Sequence, residues 1–333
     1  MKKGNQTYIL DNPVYIQETA SIVGRKEGNG PVGKYFDKIA KTDTFNENTF
    51  EKAEREMFYQ AACLLLKKAD KKFGDIDLLL SGDLNNQIIA SNYMASYMKI
   101  PFVGVYSACA TFAGVLGLGA CLISGKIMKN VMCMAGSHFS TAERQYRFPL
   151  EFGNQRQTYS QWTVTGVGAT LLSSSKTNIK IRKVCFGKVI DFGVKDIANM
   201  GAAMAPAAMD TLVAFFGDTN TKPDDYDAIA TGDLGKLGSD ILLDLMQEKG
   251  YSLGQNYIDC GNMIYGVTDD SNQGGSGAGC SATVFNSYFI SKLKEKKIKK
   301  MILVSTGALM STITNQQGEA IPCTAHAVEV EIC

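Results

Sequence analysis

Histidine is almost absent from this 333-residue chain, with only His138 and His326 present. A metal centre built on several imidazoles is therefore not expected. Nine cysteines are scattered without a single C-x-x-C pair, and no secretory signal follows Met1-Lys2-Lys3-Gly4-Asn5. Both features predict reduced thiols in a cytoplasmic setting rather than a disulfide framework. Charge of one sign is missing too: 34 Lys and Arg face 33 Asp and Glu, for a net charge of +1. Such balance gives no general attraction to nucleic acid. The most apolar stretch, Phe112 to Ile123, is short and glycine-rich, so any membrane association is expected to be peripheral.

What is present is a large core. Hydrophobic residues make up 45% and charged residues 20% of the chain, which fits a folded globular protein of one large domain or two halves of about 150 residues. The centre of the pattern is 102–125. It reads as a buried strand, a sharp Ser107-Ala108-Cys109 turn, and a helix of small residues (Ala110, Ala113, Gly114, Gly117, Gly119, Ala120). A cysteine at that junction meets the unpartnered N–H groups and positive dipole end of the helix, which favour a thiolate or a bound anion. The alternative is a small buried hydrophobe.

Around it the chain alternates strands and helices. Residues 14–23 predict a first strand, Gly24 to Gly33 a loop, and Asn48 to Phe73 a helix with Phe50, Ala53, Met57, Ala61, Leu64 and Leu65 on one face. A strand at Ile76 to Leu80, a helix from about Gln87 to Met98, and a strand at Val131 to Ala135 follow. A polar excursion from Phe139 to Trp162 precedes a strand at Val164 to Leu172. The second half predicts strands at Ile179 to Ile190, Ala228 to Ala230, Tyr257 to Cys260, Met301 to Val304 and Ala327 to Ile332. Its helices are Asn199 to Phe216, bent or divided by Pro206, Leu237 to Gln247, and one from Gly274-Gly279 to about Lys296.

This order repeats in letters. Asp77-Leu-Leu-Leu-Ser-Gly-Asp-Leu84 matches Asp227-Ala-Ile-Ala-Thr-Gly-Asp-Leu234. Lys126-Ile-Met-Lys-Asn-Val-Met-Cys-Met-Ala-Gly136 matches Lys297-Ile-Lys-Lys-Met-Ile-Leu-Val-Ser-Thr-Gly307. Two matches in register predict a duplicated α/β chain with halves 1–175 and 176–333, mostly parallel sheets, and helices on both faces. A ligand site then belongs at the carboxyl ends of the strands: Gly82-Asp83, Ser107 to Cys109, Gly136 to His138, Gly232-Asp233, Gly261-Asn262 and Thr306-Gly307.

Duplicated βαβαβαββ halves with a cysteine opening the first central helix resemble the thiolase-like superfamily. The resemblance implies a five-layered α-β-α-β-α fold. Within that superfamily, Gly136-Ser-His-Phe-Ser-Thr-Ala-Glu-Arg-Gln-Tyr-Arg-Phe-Pro-Leu-Glu-Phe-Gly153 and Trp162-Thr-Val-Thr-Gly166 resemble a family of stage V sporulation proteins. So do Tyr106-Ser-Ala-Cys-Ala-Thr111, Thr231-Gly-Asp-Leu-Gly235, Gln273-Gly-Gly-Ser-Gly-Ala-Gly-Cys280 and Thr306-Gly-Ala-Leu-Met310. Over nearly the whole chain, this resemblance implies a protein of endospore formers that binds dipicolinic acid (pyridine-2,6-dicarboxylate), in part as the calcium salt. It further implies work beside the membrane proteins of the SpoVA complex at the forespore inner membrane, and, from the superfamily, a homodimer through the strand at Phe102 to Val105.

Thiolases and ketoacyl synthases pair the thiolate with His or Asn residues from the second half, which handle protons and the enolate oxygen. Here the corresponding second-half stretch is Thr231-Gly-Asp-Leu-Gly, and the late glycine-rich segment reads Ser276-Gly-Ala-Gly-Cys-Ser without a G-H-P string. The resemblance therefore favours binding without catalysis or cofactor, with a Cys109-dependent acyltransferase as the alternative. A planar dianion needs donors. The candidates are the N–H groups after Cys109, Ser107, Ser137, His138, an arginine among Arg144, Arg147 and Arg156, and close backbone approach at Gly277. Trp162 stands as pocket wall or core anchor, and His326 as a structural residue. Asp83 and Asp233 offer oxygens to a calcium ion, or more simply cap turns and helices. Gly274 to Gly279 has imperfect dinucleotide spacing and no acidic residue about 20 positions on. Lys292 to Lys300 is a basic run, read as a solvated helix end or as a patch for docking to a membrane complex.

Overall fold

The computed structural model describes residues 1–146, 156–266 and 271–333. Its first long strand, β1 (Thr7–Val23), precedes helix α1 (Phe50–Lys68), strand β2 (Leu78–Gly82), helix α2 (Ile89–Met98) and strand β3 (Phe102–Gly104). Helix α3 (Thr111–Ser124), strand β4 (Asn130–Ser137), helix α4 (Phe139–Tyr146) and strand β5 (Gly166–Ser173) complete the first set. The second set is β6 (Ile179–Phe186), α5 (Met200–Thr219), β7 (Ala228–Thr231), α6 (Gly235–Glu248), β8 (Tyr257–Asp259), α7 (Ala278–Val284), β9 (Lys300–Ala308) and β10 (Cys323–Ile332).

The hydrogen-bonded strand order is β8-β7-β9-β10-β6-β1-β5-β4-β2-β3. Each set of five follows the same permutation of its own chain order, which is the duplication read in the letters. The pairing is mixed rather than mostly parallel. Strand β2 runs parallel to β3 and β4, and β7 parallel to β8 and β9, but β1, β5, β6 and β10 pair antiparallel with their neighbours. Strand β4 returns to β5 through residues 138–165 and β9 to β10 through residues 309–322, each pair antiparallel, so neither needs a crossover to the far end of the sheet.

Side-chain burial sorts into three apolar layers. Phe112, Val115 and Leu116 of α3 and Ala282 and Val284 of α7 pack between the two halves of the sheet. Met57, Phe58 and Leu65 of α1 cover the outside of the first half with α2. Met204, Leu212 and Phe215 of α5 cover the second with α6. The result is the α-β-α-β-α sandwich. The small residues of α3 allow a helix to lie between two sheets, since each face must reach a different backbone layer.

Four expectations are corrected. The first strand begins at Thr7, not at residue 14, and its early residues pair with β6 while its later ones pair with β5. The excursion from Phe139 opens with a helix, α4. Strand β6 stops at Phe186 rather than Ile190. Pro206 does not divide α5, which runs unbroken from Met200 to Thr219: Ala203, Ala205, Ala207 and Ala208 around it are all buried, and packing outweighs the lost backbone bond. Helix α5 is also long and apolar enough to cross a membrane, with 61% of that window buried in the fold. Its Asp218 accepts hydrogen bonds from the N–H groups of Asn5, Gln6 and Thr7, so it is tied into the core.

Candidate functional site

The strand ends meet where the two central helices begin. Between β3 and α3 the chain makes one tight turn, Ala108–Ala110, with Ala108 in the left-handed region at φ 49°. A non-glycine residue there stores strain that the surroundings must hold. Thr111 Oγ1 does part of this, accepting from Ser107 N–H at 3.1 Å and donating to Ala108 O at 2.7 Å. Gly307, at the end of β9, does the rest. A Cβ there would stand 2.3 Å from Ser107 O, so only glycine lets the second half press against the turn. Cys109 is thereby held at the base of a cleft, 6% exposed.

The residue facing the thiol is Asp233, from the turn after β7. Asp233 is 1% exposed. Its Oδ1 accepts from Thr306 Oγ1 at 2.7 Å, and its Oδ2 accepts from Gly277 N–H at 2.9 Å and Ser276 Oγ at 3.1 Å. Burial raises its carboxyl above the ordinary range, with Thr306, Cys109, Gly277 and Ser276 pulling the other way. Asp259 pins the turn itself by accepting from Thr231 Oγ1, Leu234 N–H and Gly235 N–H at 2.7–3.0 Å, and burial pushes its carboxyl up to about 6. The Cys109 thiol is held well above its usual range, first by burial and then by the Asp233 carboxylate. A carboxylate beside a buried sulfur keeps the proton on it, the opposite of what a nucleophile needs.

Gly277 is the third wall. Its φ of 105° is open only to glycine, and a Cβ would stand 2.8 Å from Ser137 Oγ. The remaining lining of the cavity beside Cys109 includes Leu84, Tyr106, Tyr146, Thr163, Met200 and Met310. The free space is about 30 Å³, on the scale of one water molecule. No charged side chain lines it among the described residues.

Of the residues singled out in the sequence, Cys109 and Gly277 come together here, and Ser107 forms the turn beside them. The others stand elsewhere. Ser137 is buried, donates to Val164 O at 2.7 Å and accepts from Gly279 N–H at 3.0 Å, so it ties β4 to α7. His138 spends both ring nitrogens: Nδ1 accepts from Ser140 N–H at 3.1 Å, which leaves Nε2 to donate to Asp43 O at 2.7 Å. Burial lowers its pKa, so it is a neutral imidazole bound to backbone outside the cavity lining. Arg144 is ion-paired with Glu51 near the surface. Trp162 stacks on Phe139 at 4.0 Å, with Lys26 Nζ 4.1 Å from its ring centre; it is not in the cavity lining. Arg156 pairs with Glu143 at 3.1 Å, and Arg147 lies outside the described residues. His326 accepts from Gly187 N–H through Nδ1 at 3.2 Å, a structural role. Asp83 accepts from Asn85 N–H and Ser91 N–H at 2.9 and 2.8 Å, which is turn and helix capping. Lys292, Lys294, Lys297 and Lys300 of the basic run reach Glu295, Glu18, Glu295 and Glu329.

Sequence reasoning set Asp233 down as a turn residue and did not single out Tyr106, Tyr146, Met200 or Met310. The rule that sites lie at strand ends had already named Gly232-Asp233 and Thr306-Gly307. Adjacency to Cys109 in space, which converts Asp233 from a cap to a partner, is tertiary information.

A five-layered sandwich with a cysteine opening its central helix is the architecture of the thiolase-like condensing enzymes. The 3-oxoacyl-[acyl-carrier-protein] synthase III of Aquifex aeolicus superposes with a TM-score of 0.59 at 12% identity, over 96% of this chain and 99% of that one. A variant of OleA from Xanthomonas campestris gives 0.62 at 14% identity, over 97% and 100%. At such identities the likeness establishes the fold alone. Residues 4–331 match the family described as stage V sporulation protein AD. The Bacillus subtilis (strain 168) protein of that name is 41% identical over 328 residues, 98% of this chain and 97% of its own length. The chain belongs to the stage V sporulation protein AD family.

Proposed function

We propose that this sporulation protein is a non-catalytic binder of dipicolinic acid, taking the ligand in the cleft that opens above Cys109 and delivering it during uptake into the developing spore. The observation that carries the loss of catalysis is the Cys109–Asp233 contact. Where a condensing enzyme needs a base that takes a proton from its surroundings, this site holds a carboxylate that keeps the proton on sulfur. Neither histidine is free to replace that base: His138 has both ring nitrogens on backbone, and His326 accepts from Gly187 N–H through Nδ1, which leaves the proton of the neutral ring on Nε2. Membership of the sporulation family supports the ligand class. Calcium, where it accompanies the ligand, is held by the ligand's own carboxylates and solvent, because Asp83 and Asp233 spend their oxygens on protein donors. The partners in this reading are the membrane proteins of the SpoVA complex and a second copy docked along β3, an edge strand with Val103 exposed. The ion-paired state of most of the lysines in the 292–300 run weakens a purely electrostatic membrane scaffold.

The test is calorimetric titration with sodium dipicolinate, with and without calcium, paired with incubation in acyl-CoA and mass spectrometry of Cys109. Saturable binding and an unmodified thiol are expected. Acylation of Cys109 with no dipicolinate binding refutes the proposal in favour of an acyltransferase.

A further inference from the structure

The mouth of the cleft is framed by two segments, the turn from Asp83 to Ile88 after β2 and helix α4. Asn85 to Ile88, Gln145 and Tyr146 line a basin of about 460 Å³ there. Gln145 clasps one segment to the other: its Oε1 accepts from Asn86 N–H at 2.9 Å and its Nε2 donates to Leu84 O at 2.9 Å. The clasped turn is strained. Gln87 and Ile88 are both left-handed, at φ 55° and 48°, and a β-branched residue is an outlier in that region. Such backbone stays in place only while its neighbours hold it.

Beneath both segments lies a pair of acids. Glu54 of α1 and Asp83 are each 0% exposed, and they share one amide: Asn85 Nδ2 stands 2.8 Å from Glu54 Oε2 and 3.1 Å from Asp83 Oδ1. Thr141 of α4 donates to the same Glu54 Oε2 at 2.7 Å. Asp83 has further donors in Asn85 N–H and Ser91 N–H, whereas Glu54 Oε1 has none among the described residues. Asp83 is thus equipped to carry the charge of the pair, and Glu54 Oε1 is the oxygen on which a proton belongs. Burial, then the Asp83 charge, raises Glu54 from 4.5 to about 8. The nearby cations are spent elsewhere. Arg144 of α4 pairs with Glu51, one turn before Glu54 on α1. Arg55, the next residue on α1, is taken up between the rings of Tyr93 and Tyr97. His138, whose carbonyl lies 3.0 Å from Thr141 Oγ1, is kept neutral by burial.

We propose that this pair is a proton-operated latch on the mouth of the cleft. With its proton, Glu54 holds the Asp83–Ile88 turn and α4 together through Asn85 and Thr141; on losing it, the two segments part, admit water to Oε1 and widen the entrance. A second charge without a donor is too costly to keep dry, and the strained turn yields first. Opening releases one proton, so the open fraction rises with pH wherever Glu54 is protonated in the closed form and ionised in the open one. That window runs from 4.5 to about 8, and above it the rise levels off. The latch regulates the binding site proposed above, and its test uses the ligand-free chain, so either reading can fail alone.

The experiment is amide hydrogen exchange on the purified full chain at pH 6, 7 and 8, corrected for the intrinsic pH dependence of exchange. Mass spectrometry follows peptides covering 84–91 and 139–146. In wild type, opening of both segments should increase by up to about tenfold per pH unit. At each pH it should exceed the opening of α5, which reports on the core. Glu54→Gln should leave both segments independent of pH within about twofold. Asp83→Asn removes the like charge, so its rise should level off at a lower pH; this variant decides the matter should the glutamine chain not fold. Opening that is flat from pH 6 to 8 in wild type, the same rise in Glu54→Gln, or segments that open no more often than α5 would each overturn the latch.

Discussion

Glu54 gives the sharpest test of the structure, because it is a buried acid with an oxygen to spare. It lies on α1 at 0% exposure, directly under the rim of the cleft. Its Oε2 accepts from Asn85 Nδ2 at 2.8 Å and Thr141 Oγ1 at 2.7 Å, while Oε1 has no partner among the described residues. Asp83 shares the same Asn85 amide at 3.1 Å. Two buried carboxyls on one amide cannot both ionise cheaply, so the pair keeps a proton. Burial first, then the Asp83 charge, pushes Glu54 from 4.5 up to about 8. Between those values the folded chain holds a proton that the unfolded chain has lost, so stability is greatest below pH 4.5 and falls as pH rises to 8. At about 1.4 kcal/mol per unit, the loss has a ceiling of roughly 5 kcal/mol. Glu54→Gln removes the ionisation and keeps the shape, with the amide oxygen meeting Asn85 and Thr141. Guanidinium unfolding, followed by circular dichroism at pH 5.5 and 8.5, should show the variant ahead by only about 1.4 kcal/mol at the lower pH. At the higher pH the variant should be more stable by about 3–5 kcal/mol. Parallel pH dependence in the two proteins refutes the buried-proton argument.

Asp233→Asn removes the charge that holds the proton on Cys109, so alkylation of Cys109 by iodoacetamide at pH 8 should accelerate; an unchanged rate means that the two side chains do not interact. Gly277→Ala forces φ 105° on a side chain 2.8 Å from Ser137 Oγ, and should cost about 1–3 kcal/mol, read as a lowered melting temperature. His326, whose burial lowers its pKa to about 4, contributes stability present above pH 6.5 and lost as pH falls toward 4. His326→Phe should flatten that acid limb of the stability profile. Phe112→Ala opens a void in the middle layer against Phe285, 5.6 Å away, and should cost about 3–5 kcal/mol.

Strand ends, the duplicated order and the central helix were legible because they are written in local pattern. Asp77 to Leu84 and Asp227 to Leu234 repeat in letters, and their two aspartates stand at equivalent turns. The pattern could not show that those aspartates diverge in role. Asp83 bonds Asn85 and Ser91 within its own segment, whereas Asp233 reaches Ser276 and Thr306, 43 and 73 residues away. Helix α4 was hidden for a similar reason. Phe139–Tyr146 has a polar composition, and its burial of Thr141, Ala142 and Glu143 comes from contacts with distant segments. His138 misled because proximity in sequence to a strand end says nothing about which way a ring turns; Asp43 O, 95 residues earlier, claims it.

The turn at Cys109 is held by its surroundings, whatever the thiol does. The strained Ala108 turn, Thr111 and Gly307 all serve to hold Cys109 at the mouth of α3, and they are intact. A turn of this cost persists only where the surroundings over-determine it. Here they still do so, through the packing of β9 against the turn rather than through any demand of reactivity. Asp233 changes the sign of the field at sulfur with one side chain, and its three protein donors make it part of the scaffold. In the binding function proposed above, the turn serves as a rigid back wall to the cleft.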